Sequence, residues 1–272
     1  MVRPTGGRVR QLLVSVCVVV GVVSGVLATP ARAFAQGDEI QVYDASLAPK
    51  GVFNLTWHNN FTPKGIKTPS VPGGVTADKS FNGVTEWAFG VSNWFEGGLY
   101  LPLYTYDKDL GFGINGLKLR GLVATPNGND RTVAVGFGME LSYNAKRWDS
   151  SRVTSEFRPI IAWHVNPKFD VIVNPILDTA YDGLSNLVFA PSARLAYNAS
   201  DVWAVALESY ADFGRLKGFE KAADQSHQIY AVVNHTTKSG YEIEFGAGVG
   251  LTDGADKFVL KMILAKDLNT VK

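Results

Sequence analysis

The chain has 272 residues, of which 46% are hydrophobic and 19% are charged, and its formal net charge at pH 7 is +1. This composition is typical of a folded domain and excludes a disordered, low-complexity chain. The first 35 residues contain four arginines and no acid, so the net charge of the remainder changes from +1 to −3. A weakly acidic chain argues against nucleic acid as a partner.

The N-terminal segment has the features of a secretory signal peptide. Arginines precede an apolar run at 12–27, and the small residues Ala33 and Ala35 predict cleavage before Gln36. The run is shorter than the roughly 20 apolar residues that a membrane-spanning helix needs. Cys17, the only cysteine, lies inside it, so the exported chain requires a packed core or a closed barrel in place of disulfides. We predict a signal peptide at 1–35 and one domain at 36–272.

The rest of the chain consists of segments whose polarity alternates with a period of two. In residues 131–143, Val135, Phe137 and Met139 fall on one face and Glu140 on the other. Such segments exceed the usual strand of about 5–6 residues and suit the roughly 9–11 that a tilted strand needs to cross a bilayer. After a polar lead at 36–50, about twelve strands follow, beginning at residues 52, 81, 95, 112, 131, 154, 169, 187, 202, 226, 241 and 257.

The lengths of the connections support a membrane barrel. Long connections at 61–80, 144–153 and 214–225 follow the first, fifth and ninth strands, and therefore fall at one end. Short turns at one end and longer loops at the other are typical of outer-membrane barrels, whose strand number is even. We therefore predict an all-β fold: a monomeric, transmembrane, up-and-down antiparallel β-barrel among the lipids of a Gram-negative outer membrane.

The polar face of the strands combines glycine and alanine with charged side chains. Small residues beside long ones suit the inside of a curved barrel, so the apolar face is assigned to lipid. A soluble sandwich or lipocalin-like barrel is the alternative. The side chains predicted to line a solute path through the lumen are Tyr100, Tyr104, Lys118, Arg120, Glu140, Arg158, His164, Asp170, Asp178, Arg194, Glu208, Tyr210, Tyr230, Glu242 and Glu244.

Two sets of residues meet across the predicted hairpins. Pro159, Pro175 and Pro191 form a row on the lipid face, which is either accommodated by bulges or forms a weak seam for lateral exit of apolar solutes. His164 faces Asp170 with Arg194 on a diagonal. This cluster resembles a catalytic one, but lumens commonly carry compensating charges.

The residue spacing gives no support for catalysis or metal binding. Neither serine nor cysteine accompanies the His164 and Asp170 pair on adjacent strands, and no spacing of metal ligands occurs. We predict no catalytic residue, no metal and no cofactor. Within the lumen, Arg158 is the expected partner of Glu140.

One hairpin resembles a known family. In residues 86–104, Phe89-Gly90-Val91, Trp94-Phe95-Glu96 and Leu101-Pro102 resemble the hairpin of an outer-membrane family named after a MetA pathway of phenol degradation. Phe89 stands where that family usually has tyrosine. The resemblance implies an exported barrel that passes hydrophobic or aromatic compounds, and it brings no catalytic residue.

The predicted function is passive or facilitated passage of small solutes through a narrow or partly plugged lumen, with aromatic and hydrophobic compounds as candidate classes. Tyrosines and arginines on the lumen face suit such solutes by stacking and charge-assisted hydrogen bonds. Two alternatives remain. One is a membrane-embedded lipid-modifying enzyme based on His164 and Asp170, and the other is a structural or adhesive barrel that acts through the loop at 61–80.

Overall fold

The computed structural model describes residues 37–269, so the signal peptide predicted at 1–35, with Cys17, lies outside the described part. Nearly every regular element in that part is a β-segment, and the two exceptions are short 3₁₀ turns at Gly128–Asp130 and Leu184–Asn186. The β-segments are β1 (Phe53–Lys64), β2 (Phe81–Gly90), β3 (Phe95–Asp107), β4 (Gly111–Ala124), β5 (Val133–Asn144), β6 (Val153–Asn166), β7 (Phe169–Asn174), β8 (Leu177–Thr179), β9 (Val188–Phe189), β10 (Ser192–Ser200), β11 (Trp203–Asp212), β12 (Ser226–Thr236), β13 (Tyr241–Gly250) and β14 (Phe258–Asp267).

The sheet closes on itself. Strands adjacent in sequence pair antiparallel, and β14 returns to pair with β1. β7 and β8 form one strand interrupted at Pro175, and β9 and β10 form another interrupted at Pro191, so residues 37–269 form a barrel of twelve strands. The predicted all-β, up-and-down barrel is confirmed. No helix between residues 37 and 269 has the length and apolarity that crossing a membrane requires.

The two faces of the strands differ in polarity as predicted. On β5, Val135, Phe137 and Met139 are exposed on the outside, whereas Glu140 is 3% exposed inside. This pattern recurs around the barrel, so the outer surface is apolar and the inner wall carries most of the charge. The outer surface therefore has the polarity that contact with lipid requires.

Local side-chain chemistry sets the hairpin register. The Asn166 side chain accepts hydrogen bonds from the backbone N–H groups of Lys168 at 2.8 Å and Phe169 at 3.1 Å, which closes the turn between β6 and β7. The turn places His164 directly opposite Asp170, as the sequence predicted. Long loops lie at the end of the barrel where β1 finishes, called here the loop end. The opposite end, where β1 begins, is the turn end.

Two features of the strands differ from the sequence prediction. β1 continues to Lys64 instead of ending before residue 61, because pairing with β14 resumes at Phe258 after a bulge. β3 changes register between Tyr100 and Leu103, where Pro102 provides no backbone donor. Side chains beyond this point change face.

Tyr104 is therefore outside the barrel and not in the lumen, where unbroken alternation had placed it. Its ring lies 5.9 Å from that of Phe112 on the outer surface, and its hydroxyl accepts a hydrogen bond from Trp57 Nε1 at 2.9 Å. The same hydroxyl donates to Asn59 Oδ1 at 2.8 Å, which gives this amide oxygen on the lipid-facing side a hydrogen-bond partner. The bulge at Pro102 is the physical reason for this correction.

Candidate functional site: the barrel lumen

The N-terminal segment fills the middle of the lumen. Residues 37–50, called here the plug, contact side chains from strands all around the barrel, including β1, β3, β4, β6, β7 and β14. Ile40, Val42, Tyr43 and Ala45 pack in one apolar cluster with inward residues of the wall. The sequence analysis treated this segment only as a polar lead, so its location inside the barrel is new.

Polar contacts hold the plug at several heights. Asn60 Nδ2 donates to the Asp38 carbonyl at 3.2 Å, and Glu96 accepts the backbone N–H of Ala48 at 2.5 Å near the turn end. Three cations of the wall also bind it: Lys118 Nζ to Asp38 Oδ2 at 2.8 Å, Lys261 Nζ to the Ile40 carbonyl at 3.0 Å, and Arg158 Nη1 to the Gln41 carbonyl at 3.2 Å.

Tyr43 is the most engaged residue of the plug. Its ring lies between two guanidinium groups, with Arg158 Cζ 4.4 Å and Arg120 Cζ 5.2 Å from the ring centroid. Its hydroxyl donates to Glu39 Oε1 at 2.6 Å and lies 2.6 Å from the Tyr100 hydroxyl. Burial, followed by the nearby Glu39 carboxylate, raises the pKa of Tyr43 well above its usual value, so the phenol is neutral in this position.

Asn174 binds the backbone of the same plug residue. Its Oδ1 accepts the Tyr43 N–H at 2.8 Å, and its Nδ2 donates to the Tyr43 carbonyl at 2.9 Å. The Asn174 side chain is fully buried at the end of β7. A two-point amide contact of this kind fixes both the position and the direction of the plug.

The lumen charges of β2 to β6 form one network. Arg120 bonds Glu86 and Glu96, which are both buried on the wall. Lys118 Nζ lies 3.4 Å from Glu140 Oε2, so the partner of Glu140 is on the preceding strand. The expected Glu140 and Arg158 pair is wrong, because Glu140 faces Glu156 across β5 and β6 and Arg158 bonds Glu156 on its own strand.

A second network lies across β10 to β14. Lys261 Nζ bonds Glu208 Oε2 at 2.5 Å and Glu244 Oε1 at 2.7 Å. Arg194 bonds the same two carboxylates, and the Tyr210 hydroxyl donates to Glu208 at 2.7 Å. Two acids shared by two cations form a compensated cluster, which a low-dielectric interior requires.

Glycines make room for these long side chains. A Cβ added at Gly248 would lie 2.4 Å from the Tyr230 ring, and one at Gly246 would lie 2.9 Å from the Lys261 side chain. Each glycine faces its long neighbour across an adjacent strand. The interpretation of glycine as space for a neighbouring side chain therefore fits this wall.

The predicted pair of His164 and Asp170 forms at the turn end. Asp170 Oδ1 lies 2.6 Å from His164 Nδ1, and its Oδ2 accepts from Asn198 Nδ2 at 2.8 Å. Arg194 occupies the predicted diagonal position, opposite Ile172, and its side chain bonds Glu208 and Glu244. Nothing in residues 37–269 bonds His164 Nε2, and no cluster of metal-ligating side chains occurs in that range.

The remaining predicted residues are spread over the lumen. Tyr100, Tyr210 and Tyr230 are buried on the inner wall, Asp178 lies on β8 toward the loop end, and Glu242 is exposed near the turn end. Their role in a solute path stays a prediction. Sequence reasoning missed the plug and its anchor Asn174. A useful signal was the composition of the lead, which combines two acids at 38–39 with apolar residues at 40 and 42.

The fold and the lumen together define a class. A closed barrel of twelve strands in residues 37–269, with an apolar outside and a charge-lined interior, is an outer-membrane β-barrel with a porin-like channel fold. No protein-family profile and no curated protein sequence matches the chain. Membership in the phenol-degradation family that the hairpin at 86–104 resembles is therefore not established.

Solved structures support the same class. The chain is similar to the COG4313 outer membrane channel from Pseudomonas putida F1, with a TM-score of 0.57 and 12% identity over 85% of this chain and 100% of the other. It is also similar to the KdgM porin, with a TM-score of 0.53 and 6% identity over 79% and 99% of the two chains. For the NanC porin the TM-score is 0.51, at 9% identity over 80% and 100%. At these identities the likeness concerns the fold.

Proposed function

We propose that this protein is a channel of the Gram-negative outer membrane that passes small solutes after the plug leaves the lumen. It acts as a monomer surrounded by outer-membrane lipids and uses no cofactor. In the conformation described, residues 37–50 occupy the middle of the path, so this is the closed state. Opening requires the plug to detach toward the turn end, where it continues into β1.

One observation carries this proposal: every wall cation that contacts the plug also has a carboxylate partner on the wall. A charge left unpaired inside a barrel would make removal of the plug costly. Here the wall pairs remain when the plug leaves: Lys118 with Glu140 at 3.4 Å, Arg120 with Glu96 at 2.5 Å, Arg158 with Glu156 at 2.5 Å, and Lys261 with Glu244 at 2.7 Å. Each of these four cations therefore keeps a carboxylate partner without the plug.

The position of Tyr43 supports aromatic compounds as the solute class. Its ring lies between Arg120 and Arg158, and its hydroxyl reaches Tyr100. When the plug leaves, this space is free for a planar ring, and the guanidinium groups can also bind an acidic substituent. Small aromatic molecules, especially those with an anionic or hydroxyl group, fit this position.

The test measures uptake of radiolabelled benzenesulfonate and cyclohexanesulfonate into proteoliposomes. Both anions are permanently charged and similar in shape, but only the first has an aromatic ring. The comparison uses the wild-type chain and a variant that lacks residues 38–47 of the plug.

We expect the deletion to accelerate uptake of both anions and benzenesulfonate to enter faster than cyclohexanesulfonate. A folded deletion variant that takes up neither anion above empty liposomes contradicts the channel. Equal uptake of the two anions contradicts only the preference for aromatic rings.

A further inference from the structure

A row of prolines crosses three adjacent strands on the outer face. Pairing of β6 with β7 ends at Ile161 and Val173 and resumes with β8 at Phe157 and Leu177. The uninterrupted register between these pairs places Pro159 opposite Pro175, as the sequence predicted. β10 resumes after Pro191, which faces Pro175 in the same way.

The direction of the backbone groups shows which hydrogen bonds are missing. The backbone N–H of His164 points to β5. Backbone groups alternate in direction along a strand, and Pro159 is an odd number of positions from His164, so the backbone N and carbonyl of Pro159 point to β7 and β8. The Ala190 N–H donates to the Ile176 carbonyl at 3.1 Å, so the backbone groups of Ile176 point to β9. Those of the neighbouring Pro175 therefore point to β6. Pro159 and Pro175 therefore occupy a position where two residues normally exchange two hydrogen bonds. Neither proline has an N–H, so neither bond can form.

Pro191 adds a smaller defect on the next interface. Ala211 donates its N–H to the Pro191 carbonyl at 3.0 Å, but the proline cannot return the bond. Separation of β6 from β7 and β8 at the Pro159 and Pro175 pair breaks no backbone hydrogen bond at that pair. Such a gap at bilayer depth is unusual, because backbone groups in lipid are normally satisfied within the sheet.

The barrel wall around this pair is apolar on its outer face, and on its inner face isoleucines lie beside Arg158 and Asn174. Ile160, Ile172 and Ile176 point inward and are at most 4% exposed. On the outside, Ile161 and Val173 are exposed. An apolar molecule that passes between the strands here would contact isoleucine side chains on the inner face and then the hydrocarbon of the outer face.

The plug covers the inner side of this region. Arg158 and Asn174 directly precede the two prolines, and both side chains bind Tyr43 of the plug. Release of Tyr43 therefore uncovers the inner side of the region at the same time as it opens the lumen. Tyr43 is therefore linked to each proline of the pair through the residue that precedes that proline in the chain.

We propose that the wall at Pro159 and Pro175 is a lateral exit through which apolar aromatic solutes pass from the lumen into the outer membrane when the plug leaves. Charged solutes continue along the barrel axis, because the outer side of the exit is lipid-facing and offers them no polar partner. This inference rests on the proposed channel function and adds a second route and a second class of solute to it.

The test closes the wall with disulfides. Residues 157 and 177, and residues 161 and 173, form lipid-facing pairs on either side of the two prolines. Hydrogen-bonded antiparallel pairs have Cα atoms about 5.5 Å apart, which a disulfide can span. The Phe157→Cys/Leu177→Cys and Ile161→Cys/Val173→Cys changes are combined in one chain. The matched control is Leu119→Cys/Leu141→Cys, an outward-facing pair between β4 and β5. Neither of these two strands contains a proline.

The measurement compares accumulation of radiolabelled naphthalene and benzenesulfonate in cells that lack their own general porins, before and after oxidation. We expect the closed wall to reduce naphthalene accumulation to the level of cells without the protein, with recovery after reduction. Benzenesulfonate accumulation stays unchanged, and the control pair changes neither.

Unchanged naphthalene accumulation with complete cross-linking contradicts the lateral exit and leaves the channel intact. Absence of protein-dependent accumulation of either compound contradicts the channel itself. The gel mobility of the folded barrel before and after heating shows that the variants fold.

Discussion

At the residue scale, Asn174 holds the plug in a more sharply defined geometry than any of the charged contacts does. Its two hydrogen bonds to Tyr43 are made in a fully buried position, whereas the lumen cations divide their contacts between the plug and wall carboxylates. A buried amide with two defined bonds holds one geometry, and a shared cation holds several. The closed state should therefore be more sensitive to Asn174 than to any one lumen cation.

The first prediction concerns Asn174→Ala. Loss of two hydrogen bonds of about 1 kcal/mol each should increase the ratio of open to closed channels by roughly tenfold or more. The measurement is the open fraction in planar bilayers. Asn198→Ala is the control, because that inward amide bonds Asp170 on the wall and not the plug. An open fraction that rises equally in both variants would show general loosening of the barrel and contradict the specific role of Asn174.

The second prediction concerns Asp256, in the loop before β14. Its Oδ1 accepts the Ile66 N–H at 2.7 Å, while burial and the nearby Asp78 charge raise its pKa above 3.8. A raised pKa in the folded state means that folding favours the protonated form, so the charged form costs stability at higher pH. Asp256→Asn keeps the acceptor and should raise the thermal unfolding temperature at pH 7. The gain should shrink as the pH falls through the raised pKa of the wild-type residue.

Asp253→Asn is the matched control in the same loop, because that side chain is 90% exposed. A gain for Asp256→Asn that does not depend on pH would contradict the electrostatic explanation.

At the scale of elements, the plug is a short segment that remains attached to the barrel through β1. Ser46 lies near the turn end, with its Oγ 3.2 Å from Asn129 Oδ1 in the turn before β5. A plug held at this point stays close to its binding site, so it rebinds faster after each release.

The third prediction follows for Ser46→Cys/Asn129→Cys. Oxidation to the disulfide should shorten the open periods of the channel, and reduction should restore them. Ser46→Cys alone is the control and should not respond to oxidant. Open periods that are equally long with and without the disulfide would contradict detachment of the plug as the opening step.

The strands were predictable because the sequence features that determine them lie within each strand and its adjoining turns. Alternation identifies faces, and turn residues such as Asn166 set the hairpins, so even the pairing of His164 with Asp170 follows from the sequence. The position of Tyr104 was not predictable, because the bulge at Pro102 depends on the partner strand. The plug was not predictable either, since its contacts join residues far apart in the sequence, up to 221 positions between Ile40 and Lys261.

At the scale of the whole molecule, the barrel and the plug carry separate sets of interactions. The wall closes through its own ladder and its own ion pairs, and each lumen cation that the plug contacts already has a carboxylate partner on the wall. A lumen built in this way can open without exposing unpaired charge. The sequence predicted the charges of this lumen and the pair of His164 with Asp170, but not the partner of Glu140, which depends on which long side chains meet inside the curved wall.

The most direct test of this account is the single-channel conductance of the wild-type chain and of the variant that lacks residues 38–47. We predict a wild-type channel that is closed for most of the recording and opens briefly, and a variant that conducts steadily at the level of the brief openings. A folded variant with the same closed record as the wild-type chain would contradict the central claim that the N-terminal segment closes this channel.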